Sequence, residues 1–257
     1  MTKLLKKMRS TIIQKGGNFL VDCLPSPEQR KVILSNLMVL LFFIVVGFLI
    51  FNYTSGKNYS KVINCKHCLH QFSKNPITQK IEISGKDFID PSGGYCMSIT
   101  LKIADFYANA GSWRHIFHKG SPIIVEKGVN YNSLNKYGTN QQYPGLWLHP
   151  NKNNIRVCLS TVNSTENEYF DVMNIPIGKW VEISLNIFEK ICEVYLDGKL
   201  SDTHTCQTNI EYNSGNCYLL YSNFNSPFCS IKNFRYIPEY LNSDVFPYMT
   251  RVDKKKN

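Results

Sequence analysis

The sequence predicts an all-β fold, a two-sheet antiparallel β-sandwich of the jelly-roll type, preceded by one transmembrane α-helix. The helix is predicted from a single apolar stretch, residues 32–51, which is long enough to cross a bilayer. The sandwich is predicted from residues 79–238, where short β-branched and aromatic runs alternate with polar residues between Gly, Pro and Asn clusters. No stretch there keeps a helical period, which disfavours an α/β crossover fold.

The apolar stretch VILSNLMVLLFFIVVGFLIF has 20 residues, carries no charge, and has polar side chains only at Ser35 and Asn36. A helix of this length rises ~30 Å and satisfies its backbone groups internally, as a hydrocarbon environment requires. A buried core helix and a cleavable signal peptide are the alternatives. Because the run is long and follows a leader of 31 residues, we interpret it as an uncleaved signal-anchor.

Charge, cysteines and sequons together predict the orientation. Residues 1–31 hold seven basic and two acidic side chains, a net charge of +5, which favours the cytoplasmic side. Asn52, Asn58 and Asn163 lie in glycosylation sequons, and all three follow the span. Eight cysteines also follow it and are disulfide candidates in an oxidising compartment: Cys65, Cys68, Cys96, Cys158, Cys192, Cys206, Cys217 and Cys229. We therefore expect a type II single-pass protein whose C-terminal domain is extracellular, lumenal or on a virion surface.

Composition divides the chain into five segments. They are a basic cytoplasmic tail (1–31), the transmembrane signal-anchor helix (32–51), a Cys-containing stalk (52–78), the β-sandwich domain (79–245) and a basic C-terminal tail (246–257). Within the stalk, the CxxC at Cys65 and Cys68 has His67 and His70 beside it. Zinc is a poor interpretation of this motif, because the four ligands fall within six residues and no second CxxC follows. We favour disulfides.

Ten segments of the domain have a strand pattern: Lys80–Ser84, Tyr95–Ile103, Trp113–Lys119, Gly145–His149, Ile155–Thr161, Trp180–Phe188, Ile191–Leu196, Lys199–Thr205, Tyr218–Tyr221 and Cys229–Ile237. Asp197-Gly198 predicts a two-residue hairpin turn. Cys192 would then face Thr203, so that pairing it with Cys206 requires a bulge. The acidic stretch 166–171 is predicted to be a solvated loop.

Two strings in this region resemble a known family. Gly178-Lys-Trp180, followed by a strand and then by the run 194–199 (VYLDGK), is similar to the signature of the concanavalin A-like lectin/glucanase superfamily in its laminin-G-like form. The resemblance extends over residues 79–245, with Gly94–Ala104 as an early strand and 230–236 as the final one. The resemblance implies a jelly-roll fold. Because this fold hosts lectins, adhesion modules and hydrolases, the resemblance is specific for the fold but says little about the function.

The resemblance also suggests two kinds of site, a pair of catalytic carboxylates and a calcium site. Glucanases of this superfamily place acidic residues in a Glu-x-Asp-x-x-Glu or Glu-x-Asp-x-Glu strand, and this string is missing from the sequence, so we expect no enzyme. Laminin-G-like modules often bind calcium at a sandwich rim. Asp105, Asn109 and the Asn-rich stretch 130–140 are the candidate oxygen donors, but none has a recognisable spacing. We therefore predict no metal and no cofactor, and leave calcium as the alternative.

The long loop Gly128–Gly145 has the composition of a sugar site, in which an aromatic ring lies under the sugar and amides surround it. The candidate ligand-binding residues are Tyr131, Tyr137, Asn140, Tyr143 and Trp147. The alternative is an irregular surface loop whose tyrosines pack locally and a Trp147 that belongs to the core.

The chain has a net charge of +10, but half of the excess lies in the short tail before the span. No basic stripe remains, and nucleic acid is excluded as a partner. We expect a membrane-anchored attachment or adhesion module whose partners are the lipid bilayer and either glycans or a surface protein. The alternatives are a structural membrane protein of a large DNA virus particle without sugar binding and a glycan-active hydrolase.

Overall fold

The structure, a computed structural model, describes residues 26–63, 68–71, 75–123, 141–221 and 228–255. The chain forms two compact units, Met1–Lys57 and Asn58–Asn257. Most of the predicted basic tail, residues 1–25, lies outside the described residues.

Helix α1 spans Pro27–Ile63 and begins with a capping box. The Ser26 hydroxyl accepts a hydrogen bond from the Gln29 amide at 3.2 Å, and the Ser26 amide donates to Gln29 Oε1 at 2.8 Å. Pro27 therefore starts the helix rather than breaking it, because the first helical position needs no N–H donor. Within α1, Lys31–Ile50 is long and apolar enough to cross a membrane, by length and composition alone.

The described residues of the second unit form twelve strands in two antiparallel sheets. In spatial order, sheet A contains β1 (Leu69–Gln71), β12 (Cys229–Ile237), β3 (Gly94–Ile103), β8 (Trp180–Phe188), β9 (Ile191–Leu196) and β10 (Lys199–Thr205). Sheet B contains β2 (Ile81–Ile83), β11 (Cys217–Leu219), β4 (Arg114–Gly120), β5 (Gln142–Leu148), β6 (Ile155–Leu159) and β7 (Glu168–Val172). The predicted two-sheet antiparallel sandwich with an apolar helix before it is confirmed.

The core lies between the two sheets. Alternate residues of β3, such as Met97, Ile99 and Leu101, point inward and join one cluster with Phe117 and Leu146 of sheet B. Each side chain of this kind contributes about 1.5–3 kcal/mol when it is fully buried. The period-two pattern seen in the sequence therefore separates a core face from an outer face in both sheets.

The hairpin of β9 and β10 explains where the inward residues at one edge point. Asp197 (φ 49°) and Gly198 (φ 79°) form its turn, as predicted. A bulge between Leu200 and Asp202 then shifts the register by one residue. As a result Cys192 faces His204 instead of Thr203, which corrects the predicted register.

Three segments differ from their predicted structure. Residues 69–71 of the predicted stalk pair with β12, so that Leu69 faces Tyr236. Residues 168–171, predicted to lie in a solvated loop, belong to strand β7, which pairs with β6. Residues 246–255, predicted as a tail, form helix α2 (Phe246–Lys255). In each case a tertiary partner supplies the hydrogen bonds or the apolar contact that the local sequence does not indicate: Phe246, for example, stacks on Tyr195 with a centroid distance of 3.7 Å.

Candidate functional site

The outer face of sheet B carries a row of aromatic and charged side chains. Trp147 faces Arg156 across β5 and β6, and Arg156 faces Asp171 across β6 and β7. His115 of β4 extends the row, with its ring centroid 4.6 Å from that of Trp147. Because neighbouring residues on these strands point into the core, this row belongs to the opposite, outer side of the sheet.

Arg156 organises the end of the row nearest β7. Its guanidinium lies 4.5 Å from the ring centroid of Trp113 and 4.2 Å from that of Tyr169. It also donates two hydrogen bonds to Asp171, at 2.6 and 2.9 Å. Burial lowers the pKa of Arg156, but the Asp171 carboxylate raises it on balance, so that the guanidinium stays charged. We call these four residues the Tyr169 patch.

Tyr169 is the accessible member of the patch. The residue is 57% exposed, although the Arg156 guanidinium lies over one face of its ring. The side chains of Arg156 and Asp171 keep 20% and 25% of their surface exposed. The patch therefore offers solvent an aromatic face, a paired guanidinium and a carboxylate side by side.

The residues predicted to bind a ligand are placed differently. Tyr131, Tyr137 and Asn140 lie outside the described residues. Trp147 is fully buried and its Nε1 donates to Gln142 Oε1 at 2.7 Å. Tyr143 is also buried, at 3% exposure. Neither ring offers a face to solvent, as the alternative interpretation of Trp147 expects. A ligand-binding role for these five residues stays a prediction.

The rim suggested for calcium contains an arginine. Asp105 Oδ1 accepts hydrogen bonds from the backbone amides of Tyr107 and Ala108, at 2.8 and 3.1 Å. The buried Arg114 guanidinium donates to four backbone carbonyl oxygens there, those of Phe106, Ala108, His149 and Pro150. A cation bound to these oxygens would lie beside the guanidinium charge, which disfavours calcium at this point of the rim.

The cysteines correct a further prediction. Six of the disulfide candidates are free, buried thiols: Cys96, Cys158, Cys192, Cys206, Cys217 and Cys229. They are distributed over different faces, since Cys158 packs outside sheet B with Trp113, whereas Cys96 packs outside sheet A with Phe246. Cys68 is disulfide-bonded, and Cys65 lies outside the described residues.

The sequons occupy two settings. Asn52 and Asn58 lie within α1. Asn163 is exposed in the connection between β6 and β7, in a turn with a φ of 63°. Its position leaves room for a glycan, and glycosylation there stays a prediction.

A second cluster lies where β7 and β10 approach each other. Glu168, His204 and Cys206 place one ligand atom each within 4.8 Å of one another. His204 Nε2 lies 3.8 Å from Glu168 Oε2. Burial, assisted by the neighbouring Glu168, raises the pKa of Cys206 to about 12. Sequence reasoning missed this cluster because the first of these residues was assigned to a loop. The alternation of His204 and Cys206 was the available signal.

No protein-family model matches the sequence, and neither does any curated protein. Solved structures of similar fold include the receptor-binding domain of botulinum neurotoxin D, at 12% identity and a TM-score of 0.49, covering 74% of this chain and 48% of that chain. The binding domain of serotype G matches at 11% identity and 0.49, covering 74% and 47%. The serotype D domain in complex with N-acetylneuraminic acid matches at 11% and 0.48, covering 72% and 46%. This chain spans less than half the length of these structures.

Proposed function

We propose that the β-sandwich is a glycan-binding module that uses the Tyr169 patch, and that α1 anchors it in a membrane. The observation that carries the proposal is the exposure of Tyr169, 57%, beside the Arg156–Asp171 pair. Aromatic rings of tyrosine combine apolar contact area with a polar tip and suit ligands that are themselves amphipathic. A sugar ring, which has an apolar face and hydroxyls at its edge, is such a ligand.

The charges of the patch favour a neutral sugar. Arg156 donates two hydrogen bonds to the Asp171 carboxylate, so that its charge is compensated within the protein. The carboxylate retains acceptor capacity for sugar hydroxyls, since an ionised carboxylate offers about four acceptor sites. The Trp113 ring also contacts the guanidinium and helps to hold it beside Tyr169. This support keeps the patch pre-organised, which reduces the entropy lost on binding.

Membrane anchoring belongs to the same proposal. The segment Lys31–Ile50 has the length and composition of a span, and the positive charge before it favours a cytoplasmic N-terminus. The domain would then face the extracellular or lumenal side, where glycans are presented. We propose binding without catalysis for this domain, as an attachment or adhesion function requires.

A glycan array tests this proposal. The full chain, reconstituted in lipid nanodiscs, is applied to an array that carries neutral and sialylated glycans, alongside Tyr169→Ala and Tyr107→Ala variants. Tyr107 is the matched control, because it is 82% exposed in the connection between β3 and β4. We expect neutral glycan hits that Tyr169→Ala loses and Tyr107→Ala keeps.

Three outcomes would overturn the proposal. Glycan hits that survive Tyr169→Ala would show that the Tyr169 patch is not the binding site. Binding of sialylated glycans alone would show that the predicted preference for neutral sugars is wrong. A blank array from folded protein would favour a structural membrane protein that binds no sugar. Near-UV circular dichroism of each variant verifies the fold, and both tyrosines are exposed enough to be replaced without a core defect.

A further inference from the structure

The cluster of Glu168, His204 and Cys206 joins the two sheets at one edge of the sandwich. Glu168 begins β7, the edge strand of sheet B, and His204 lies on β10, the edge strand of sheet A. Cys206 follows β10 directly, and its amide donates to the Lys190 carbonyl at 2.8 Å. Strands β7 and β10 belong to different sheets and share no backbone ladder, so that the side chains of Glu168, His204 and Cys206 meet between them.

The three donor types point to one class of metal. A thiolate, an imidazole and a carboxylate are the ligand set of zinc, whereas magnesium and calcium take oxygen ligands. We propose that Glu168, His204 and Cys206 form a zinc site that fastens β7 to β10. This inference concerns the edge of the sandwich and is independent of the Tyr169 patch.

The distances suit coordination after a small contraction. The His204 Nε2 to Glu168 Oε2 separation of 3.8 Å is close to the ~3.4 Å expected between two ligands of a tetrahedral zinc with bonds of ~2.1 Å. All three ligand atoms lie within 4.8 Å of one another, so that about an ångström of movement completes the set. Among the described residues, His204 Nε2 is buried and makes no hydrogen bond, which leaves it available to a metal.

Neighbouring groups hold the ligands in place. The Phe170 ring stacks on the His204 imidazole, with centroids 4.6 Å apart and planes inclined by 12°. The Gln207 amide donates to both oxygens of Glu168, at 3.0 and 3.3 Å. Supporting contacts of this kind orient ligands in known metal sites. Zinc would bind Cys206 as a thiolate, and the thiol proton would leave to solvent.

The hairpin bulge supplies the geometry. Because it shifts the register by one residue, Cys192 faces His204 across β9 and β10. This pairing makes Cys192 a candidate for the fourth ligand, and a solvent molecule is the alternative. In strand β10 the period of two places His204 and Cys206 on the same face.

The experiment uses the full chain in detergent, purified with a chelator and kept reduced, then titrated with Co²⁺ and with Zn²⁺. All variants carry Cys68→Ser in addition, so that the CxxC motif of the stalk does not bind the added metal. We expect one equivalent of Co²⁺ to give tetrahedral d–d bands and a thiolate charge-transfer band, and Zn²⁺ to displace it and raise the melting temperature. Cys206→Ser should lose the charge-transfer band and the thermal shift together.

Further variants separate a ligand role from a folding defect. Glu168→Gln removes a partly exposed carboxylate and should weaken Zn²⁺ binding, whereas Glu166→Gln, two residues earlier and exposed, should leave it unchanged. The Cys192→Ser variant identifies the fourth ligand. If the thiolate charge-transfer band of the Co²⁺ protein becomes weaker, Cys192 is that ligand. If the spectrum is unchanged, the fourth ligand is a solvent molecule. The absence of a charge-transfer band with folded protein would overturn the proposal. So would a Cys192–Cys206 disulfide, detected by mass spectrometry in protein isolated without reductant.

Discussion

His115 Nε2 lies 2.8 Å from His118 Nδ1, at the buried centre of the outer face of sheet B. The backbone partners assign both tautomers. The Tyr221 amide donates to His115 Nδ1 at 3.0 Å, so that His115 carries its proton on Nε2 and donates to His118. His118 in turn donates from Nε2 to the Ser121 carbonyl at 2.7 Å. Each ring nitrogen is thus satisfied when the pair is neutral, and an added proton has no acceptor within this chain of hydrogen bonds.

The histidine pair predicts that the domain loses stability in acid. Burial lowers the pKa of His118 to about 4, and burial together with His118 lowers that of His115 well below its usual value. The folded pKa values lie below the unfolded value of about 6.5, so that the unfolded chain binds more protons as the pH falls. This stabilisation is present above pH ~6.5 and is lost toward pH ~4, by about 1.4 kcal/mol per pH unit for each histidine that stays neutral.

Urea unfolding from about pH 7.5 to about pH 4.5 measures this slope. A His118→Gln variant supplies the control, because a glutamine can still accept from His115 and donate to Ser121 but does not titrate. We expect the free energy of unfolding of the variant to depend less steeply on pH, whether or not the variant is less stable overall. An unchanged slope in His118→Gln would assign the acid sensitivity to other groups.

Gly198 is predicted to be required for a close approach as well as for its turn. A Cβ at this position would lie 2.8 Å from Pro247 Cα, at the start of α2. Gly178 is the matched control, since it also has a positive φ, 73°, but a Cβ there would meet nothing within 4 Å. We expect Gly178→Ala to cost about 1–2 kcal/mol through backbone strain, and Gly198→Ala to cost at least about 1 kcal/mol more. Thermal unfolding of both variants measures the difference. Equal losses of stability would show that α2 moves away from the new Cβ at no cost, which would contradict the prediction.

Arg114 is predicted to be a structural residue of the rim. Its guanidinium satisfies carbonyl oxygens from two different connections, those of residues 106–108 and 149–150. Arg114→Met should destabilise the domain by at least about 2 kcal/mol, because buried carbonyls lose their donors. Arg156→Met removes a partly exposed ion pair and should cost about 1 kcal/mol or less. Denaturant unfolding of the two variants tests the order, and a reversed order would contradict the assigned role.

Asn163 is predicted to report the orientation of the chain. If the domain faces the lumen during synthesis, its sequon lies in an exposed turn and should be modified. Expression in a eukaryotic secretory system, followed by glycosidase digestion and electrophoresis, measures the glycan as a mobility shift. We expect Asn163→Gln to lose one shift and Ser164→Ala, which leaves the sequon intact, to keep it. Protein that is unmodified at Asn163 would remove this support for the type II orientation.

The sequence alone was sufficient for the elements whose signals are local. Alternation predicted the long strands β3, β8 and β12, since a strand with one buried face must repeat every two residues. Asp197-Gly198 predicted its hairpin turn because few residue pairs accept two positive φ angles. The uncharged run 32–51 predicted the apolar helix for an equally local reason, its length in a single uncharged segment.

Only the tertiary structure decided which side chains meet and which are covered. The sequence predicts Trp147 as a sugar-binding residue, yet it is fully buried. Tyr169, predicted to lie in a loop, is exposed instead. Glu168 joins His204 and Cys206 only because two sheet edges approach each other and a bulge shifts the register. Such contacts are set by packing between distant segments. A local pattern such as the alternation of His204 and Cys206 does not show which distant residue completes a site, and for that reason both candidate sites emerged from the fold.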